Sequence, residues 1–180
     1  MMGTAGTVVA AHPLGANAGC LMLERGGNAV DAAVATAFAL GVVEPMNSGV
    51  GGYGGFAVVH RSNGWGTHVV DYNTVAPLNV TGHAARRGGK GRLIGPQTVS
   101  VPGTVAGLAL LLTTFGTLSL KEVLAPAIAL AEEGFTVGHH LAAATASPHV
   151  ARSLELARLF SKDGQPLRPG DRLVLRDHAR

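Results

Sequence analysis

Apolar positions along the chain fall into two long helical blocks separated by a β-branched hairpin pattern, and glycine or proline marks nearly every change. The run TVVAA at 7–11 is short, apolar and β-branched, and predicts a buried strand. Pro13 then suits a first helical turn, and Gly26 and Gly27 suit a helix stop. Asn28 is placed to cap the next segment, AVDAAVATAFALGVVE at 29–44, whose interior polar residues are Asp31 and Thr36. A helix apolar on every side belongs between two layers, and Pro45 should end it. Residues 56–62 (FAVVHRS) and 67–73 (THVVDYN) flank the turn signal NGWG and predict a β-hairpin. Residues 74–98 read as a loop. A helix is expected over 101–116, with Pro102 near its start and Gly116 at its end. The next helix opens on a capping box, Ser119 with Glu122, and closes at Gly134. One or two further helices are expected over 138–160, then turn-rich chain over 161–173.

This order is strand, two helices, hairpin, helices. Adjacent strands are antiparallel, so the pattern is not βαβαβ, and an α+β or layered domain is expected. The 180 residues suit a single domain, with no internal repeat. Only 14% of them are charged, against roughly 25% in an ordinary soluble domain, while 47% are hydrophobic. Such a chain should leave apolar surface uncovered, either as part of a larger packed body or as a subunit of an intimate oligomer. The ending RDHAR brings no closing element and favours the first alternative. No uninterrupted apolar stretch reaches the roughly 18 residues of a membrane span, so no membrane partner is expected.

Candidate chemistry is sparse. GVGGYGG at 49–55 satisfies G-x-G-x-x-G, the loop that cradles a dinucleotide pyrophosphate. That loop needs a strand before it and a helix after it, and here the order is reversed. The alternatives are glycines that let other backbone pack close, or the lead-in to a hairpin beside an active site. The densest basic patch, RRGGKGR at 86–92, lacks neighbouring aromatics and reads as a solvated loop, so no nucleic-acid partner is expected. The eight histidines are scattered without metal-ligand spacing, and no metal site is expected. Cys20 is alone and reads as a small core residue. Asp31, Glu44 and Asp71 are the carboxylates to watch, with capping or buried hydrogen-bonding roles favoured for each over a shared catalytic one. The N-terminus has neither a basic n-region nor an apolar h-region, which makes the cytoplasm the expected location.

Three long blocks, taken together, resemble the γ-glutamyltranspeptidase (glutathione hydrolase) family. They are VVAAHPLGANAGCLMLERGGNAVDAAVATAFALGVVEPMNSGVGG, SVPGTVAGLALLLTTFGTLSLKEVLAPAIALAEEGFTV and GQPLRPGDRLVLRD, in the family's order and spacing, covering about residues 8–178. The resemblance implies an N-terminal-nucleophile hydrolase with an αββα sandwich, of which residues 1–180 would be one incomplete domain, the N-terminal portion of the large subunit. It implies self-cleavage that exposes an N-terminal Thr acting as nucleophile and, through its α-amine, as its own base. No metal or organic cofactor is implied. The partners implied are a small-molecule γ-glutamyl or other amide substrate, the missing C-terminal part and the small subunit. The nucleophile lies in a Thr-Thr-His-like segment, which Thr113-Thr114-Phe115 does not match, so this chain alone is expected to be inert. One family site position falls inside it. The family pattern Asp-Phe/Tyr-Arg-x-x-Ala-Pro, whose Arg pairs with the glutamyl α-carboxylate, reads here Asp71-Tyr72-Asn73-Thr74-Val75-Ala76-Pro77. Asn73 thus replaces the Arg, and Tyr53 lengthens the family's GIGGGGF run. Both departures point to an alternative: an acylase or amidohydrolase with non-glutamyl specificity. A non-catalytic module that needs a partner chain is the other alternative.

Overall fold

The computed structural model of the chain describes residues 2–3, 6–62, 64–79 and 99–180. The basic run 86–92 and most of the loop expected over 74–98 lie outside them. In chain order the elements are β1 (Met2–Gly3), β2 (Gly6–Thr7), α1 (Pro13–Glu24), α2 (Ala29–Val43), α3 (Pro45–Ser48), β3 (Phe56–Arg61) and β4 (Gly66–Asp71). They continue with α4 (Thr104–Phe115), α5 (Leu120–Glu133), β5 (Phe135–Thr136), α6 (His139–Thr145), α7 (Pro148–Arg152) and α8 (Leu154–Leu159). The last are β6 (Ser161–Lys162), β7 (Gln165–Pro166), β8 (Arg172–Leu173) and a 3-10 turn at Arg176–Ala179. The architecture is α+β, as expected. It divides into two compact units, Met1–Gly49 with Gly116–Arg180, and Val50–Phe115.

In the first unit, α2 packs against both α1 and α5. Its all-round apolar surface needs both neighbours, and Val34, Ala35, Ala39 and Val43 are fully buried with Met22 of α1 and Val123 of α5. The helix starts are set locally. His12 caps α1, its Nδ1 accepting from the Leu14 N–H at 3.2 Å. Asn28 caps α2 by accepting from the N–H groups of Val30 and Asp31 at 2.8 and 3.2 Å. Asp31 closes that box by accepting from the Asn28 N–H at 2.7 Å. Ser119 and Glu122 form the expected box at the start of α5, and hydrogen bonds from Ser119 hold the Glu122 carboxyl below its ordinary range.

Asp31 also reaches across the sequence. It accepts from the N–H of Thr117 at 2.9 Å, the N–H of Leu118 at 3.0 Å and the Thr117 hydroxyl at 2.7 Å. The side chain is fully buried. Burial alone would raise its pKa, but hydrogen bonds from Leu118, Thr117 and Asn28 outweigh it and hold the carboxyl below its ordinary value. One carboxylate therefore fastens the start of α2 to the link that precedes α5.

Three expectations need correction. The strand expected over 7–11 is confined to Thr7 at the end of β2, because the described partner, β1, is only two residues long. Pro45 ends α2 but also begins the single turn α3, since its missing N–H is not needed at a first helical position. Residues 138–160 hold three short helices, interrupted at Ser147-Pro148 and at Ser153, whose side chain caps α8.

In the second unit, β3 and β4 pair antiparallel with Phe56 opposite Asp71, Val58 opposite Val69 and Arg61 opposite Gly66. Helix α4 lies against β4, where the rings of His68 and Phe115 stand 5.3 Å apart. The outer face of the hairpin leaves Phe56, Val58 and Val69 exposed. A two-stranded sheet with an open apolar face is marginal by itself.

Candidate functional site at the end of the hairpin

Strand β4 ends at Asp71, and the residues after it are held by backbone. The N–H of Tyr72 donates to the Gly55 carbonyl at 2.9 Å, and that of Thr74 to the Tyr53 carbonyl at 2.8 Å. The N–H of Val101 donates to the Val75 carbonyl at 3.0 Å. Three segments, 51–55, 72–75 and 99–101, are thereby laid side by side. Their contact is closer than side chains normally allow. A Cβ at Gly54 or Gly103 would overlap the Tyr72 carbonyl oxygen, and one at Gly107 would overlap the Tyr72 side chain. Gly54 also has φ +77°, a conformation that side-chain-bearing residues rarely take. Tyr72 is part-buried in this cradle, and burial raises its phenol pKa. Within the glycine run, Gly54 is therefore the close-packing position of this cradle. No helix begins within 49–55; α3 precedes the run and β3 follows it, so the helix N-terminus that a pyrophosphate needs is missing there.

Asn73 follows directly and is exposed. Its N–H donates to Asp71 Oδ1 at 3.0 Å, and its Oδ1 accepts from the Thr74 N–H at 3.0 Å. Beside it lies an open pocket of about 250 Å³ lined by Gly51, Gly52, Tyr53, Thr74, Val99 and Ser100. Sequence reasoning singled out Asn73 and Tyr53 but missed Thr74 and Ser100, which come together only through the two backbone bonds of Thr74 and Val101. Glycines at 54, 103 and 107 were the signal available for the Tyr72 cradle.

The three carboxylates serve separate partners. Asp31 is a buried hydrogen-bond hub, Asp71 accepts from Asn73, and Glu44 accepts from Asn47 Nδ2 at 3.3 Å with His140 Nε2 at 3.8 Å. Among the described residues, no group of three or more His, Cys, Asp or Glu side chains is placed to hold a metal ion. Among the same residues, no helix is long and apolar enough to cross a membrane.

A sequence model described as gamma-glutamyltranspeptidase matches residues 15–180. The chain belongs to the γ-glutamyltranspeptidase family. It is 40% identical to the glutathione hydrolase proenzyme of Bacillus subtilis (strain 168), over 99% of this chain and 32% of that one. It is 41% identical to the acylase ACY 1 proenzyme of Pseudomonas sp. (strain V22), over 98% of this chain and 34% of that one. The crystal structure of Helicobacter pylori γ-glutamyltranspeptidase superposes with a TM-score of 0.85 at 34% identity, over 99% of this chain and 53% of that one. The chain thus spans about a third of the length of the curated relatives it matches.

Proposed function

We propose that this chain supplies the N-terminal third of a γ-glutamyltranspeptidase-like enzyme, an N-terminal-nucleophile hydrolase built as an αββα sandwich. Its reaction is acyl transfer from an amide. The hydroxyl of an N-terminal Thr on the complementary part attacks the amide carbonyl, and its proton passes by way of the Thr α-amine to the departing amine. Water or an amino acid then takes the acyl group from the Thr ester. The observation that carries this reading is the continuous family match over residues 15–180. The donor class that the family's name carries is γ-glutamyl amides, glutathione among them. The role of this chain is to present the end of the hairpin, with Asn73, to the donor's acyl group, and to provide the helical layer formed by α1, α2 and α5.

A second reading, an acylase of non-glutamyl specificity, is favoured by Asn73 itself. An amide carries no charge, and losing a charge-assisted contact to an α-carboxylate costs roughly 1.5–3 kcal/mol of recognition. The near-equal identities to a glutathione hydrolase and to an acylase leave room for either donor.

The test is a hybrid in which this chain replaces the matching third of the B. subtilis proenzyme. The hybrid should cleave itself into two subunits and turn over an amide donor, whereas the 180-residue chain alone should turn over none. A hybrid that processes itself but hydrolyses neither γ-glutamyl anilide nor any simple acyl anilide refutes the proposal, as does turnover by the chain alone.

A further inference from the structure

The pocket beside Asn73 carries information about the donor. Its described lining, Gly51, Gly52, Tyr53, Thr74, Val99 and Ser100, contains three hydroxyls, one aromatic ring and no charged side chain. The hydroxyls of Thr74 and Ser100 can each donate one hydrogen bond and accept up to two. Asn73 Oδ1 accepts from the Thr74 N–H, which also donates to the Tyr53 carbonyl, and Asn73 Nδ2 offers a ligand a neutral donor. The charge in contact with Asn73 is negative, the Asp71 carboxylate at 3.0 Å from its N–H. Among the described residues of 50–115 the only Lys or Arg is Arg61, and it stacks 5.0 Å over the Trp65 ring. It belongs to the turn end of the hairpin, opposite Gly66, whereas Asp71 stands opposite Phe56 at the other end. A substrate carboxylate placed here would meet neutral donors, an adjoining negative charge and no described cation. About 250 Å³ accommodates a short acyl chain and is small beside ordinary ligand clefts of roughly 300–1,000 Å³.

We infer that this pocket is a specificity subsite for a short, uncharged, hydrogen-bonding acyl group, with Tyr53, Thr74 and Ser100 as its specificity-determining residues. Tyr53 is 75% exposed before a ligand is bound and supplies an apolar wall for the acyl chain. The inference rests on the proposed reading that the hairpin end faces the donor, and it decides between the two donor classes in favour of the acylase.

The test is a matched pair of anilides of the same shape, glutaryl anilide and its carboxamide, 4-carbamoylbutanoyl anilide, with γ-glutamyl anilide as the third substrate. They are assayed on the complete processed enzyme that contains this chain. The carboxamide should be preferred over the carboxylate by about tenfold or more in kcat/KM, the kind of ratio a hydrogen-bonding site imposes. Ser100→Ala, and independently Thr74→Val, should raise KM for the carboxamide severalfold at unchanged kcat, while self-cleavage at the wild-type rate reports that each variant folds. A preference for glutaryl or γ-glutamyl anilide overturns the inference and leaves the proposed reaction standing. So does an unchanged KM in both variants. Turnover of none of the three by a processed enzyme that hydrolyses another simple acyl anilide overturns the inference alone; turnover of no acyl anilide overturns the proposed reaction, and the inference with it.

Discussion

Asp31→Ala should loosen one local connection. The carboxylate is fully buried and satisfies the N–H groups of Asn28, Thr117 and Leu118 together with the Thr117 hydroxyl. Alanine leaves the Thr117 and Leu118 amides without an acceptor, at about 1.5 kcal/mol each, and removes half of the α2 capping box, at about 1 kcal/mol. The total, about 4 kcal/mol, is large for one substitution and belongs to the class that breaks a buried network. Hydrogen exchange reads it directly. The Thr117 and Leu118 amides should lose protection by roughly 10²–10³-fold at neutral pH, at about 1.4 kcal/mol per factor of ten. Asp31→Asn keeps one acceptor oxygen and should fall between alanine and wild type. The pH dependence has a definite sign. The folded carboxyl sits below its ordinary value of 3.8, so its stabilisation is present above that value and fades as pH falls through the lowered folded value. Protection corrected for intrinsic exchange should therefore decline in strong acid in wild type and not in Asp31→Asn. A change below about threefold in Asp31→Ala at these two amides would refute the account, because even one orphaned amide is worth more than that.

Asn73→Arg in the complete enzyme should improve γ-glutamyl affinity by roughly tenfold or more, the equivalent of about 1.5–3 kcal/mol; unchanged KM places residue 73 away from the substrate carboxylate. Gly107→Ala drives a methyl into Tyr72 and should destabilise unit 50–115 by about 1–3 kcal/mol, seen as faster proteolysis. Gly51→Ala, whose Cβ meets nothing within 4 Å, is the packing control and should leave the proteolysis rate unchanged. The isolated chain should bind a hydrophobic dye and self-associate, since Phe56, Val58 and Val69 leave an apolar face open; a monomer with a sharp unfolding transition contradicts this.

Local signals carried most of the helical frame. Pro13, Asn28, the Ser119–Glu122 box and Gly134 act within one turn of the element they bound, so their positions are readable one residue at a time. The hairpin was readable for the same reason, from alternation on either side of a turn. What escaped depends on partners distant in sequence. Residues 8–11 have strand chemistry, but a strand forms only beside another. The bonds from Asp31 to Thr117 span 86 residues, and nothing in either segment announces the other. At the site, Asn73 and Tyr53 were visible as departures from a pattern. Ser100 was not, because it approaches Thr74 only through the pairing of Val75 with Val101.

The cradle around Tyr72 also constrains how this sequence can change. Three positions far apart in the chain, 54, 103 and 107, are each barred from carrying a side chain by one and the same residue. At 54 and 103 the obstacle is the Tyr72 carbonyl, which every amino acid has, so no replacement at 72 frees those sites. At 107 the three nearest obstacles are all side-chain atoms of Tyr72, and a glycine at 72 would remove them. Drift at 72 and 107 should therefore be coupled, whereas 54 and 103 stay fixed as long as the backbone path does. Residue 73, its own side chain in solvent, can vary on top of that immovable support, and recognition can be rewritten there without redrawing the fold.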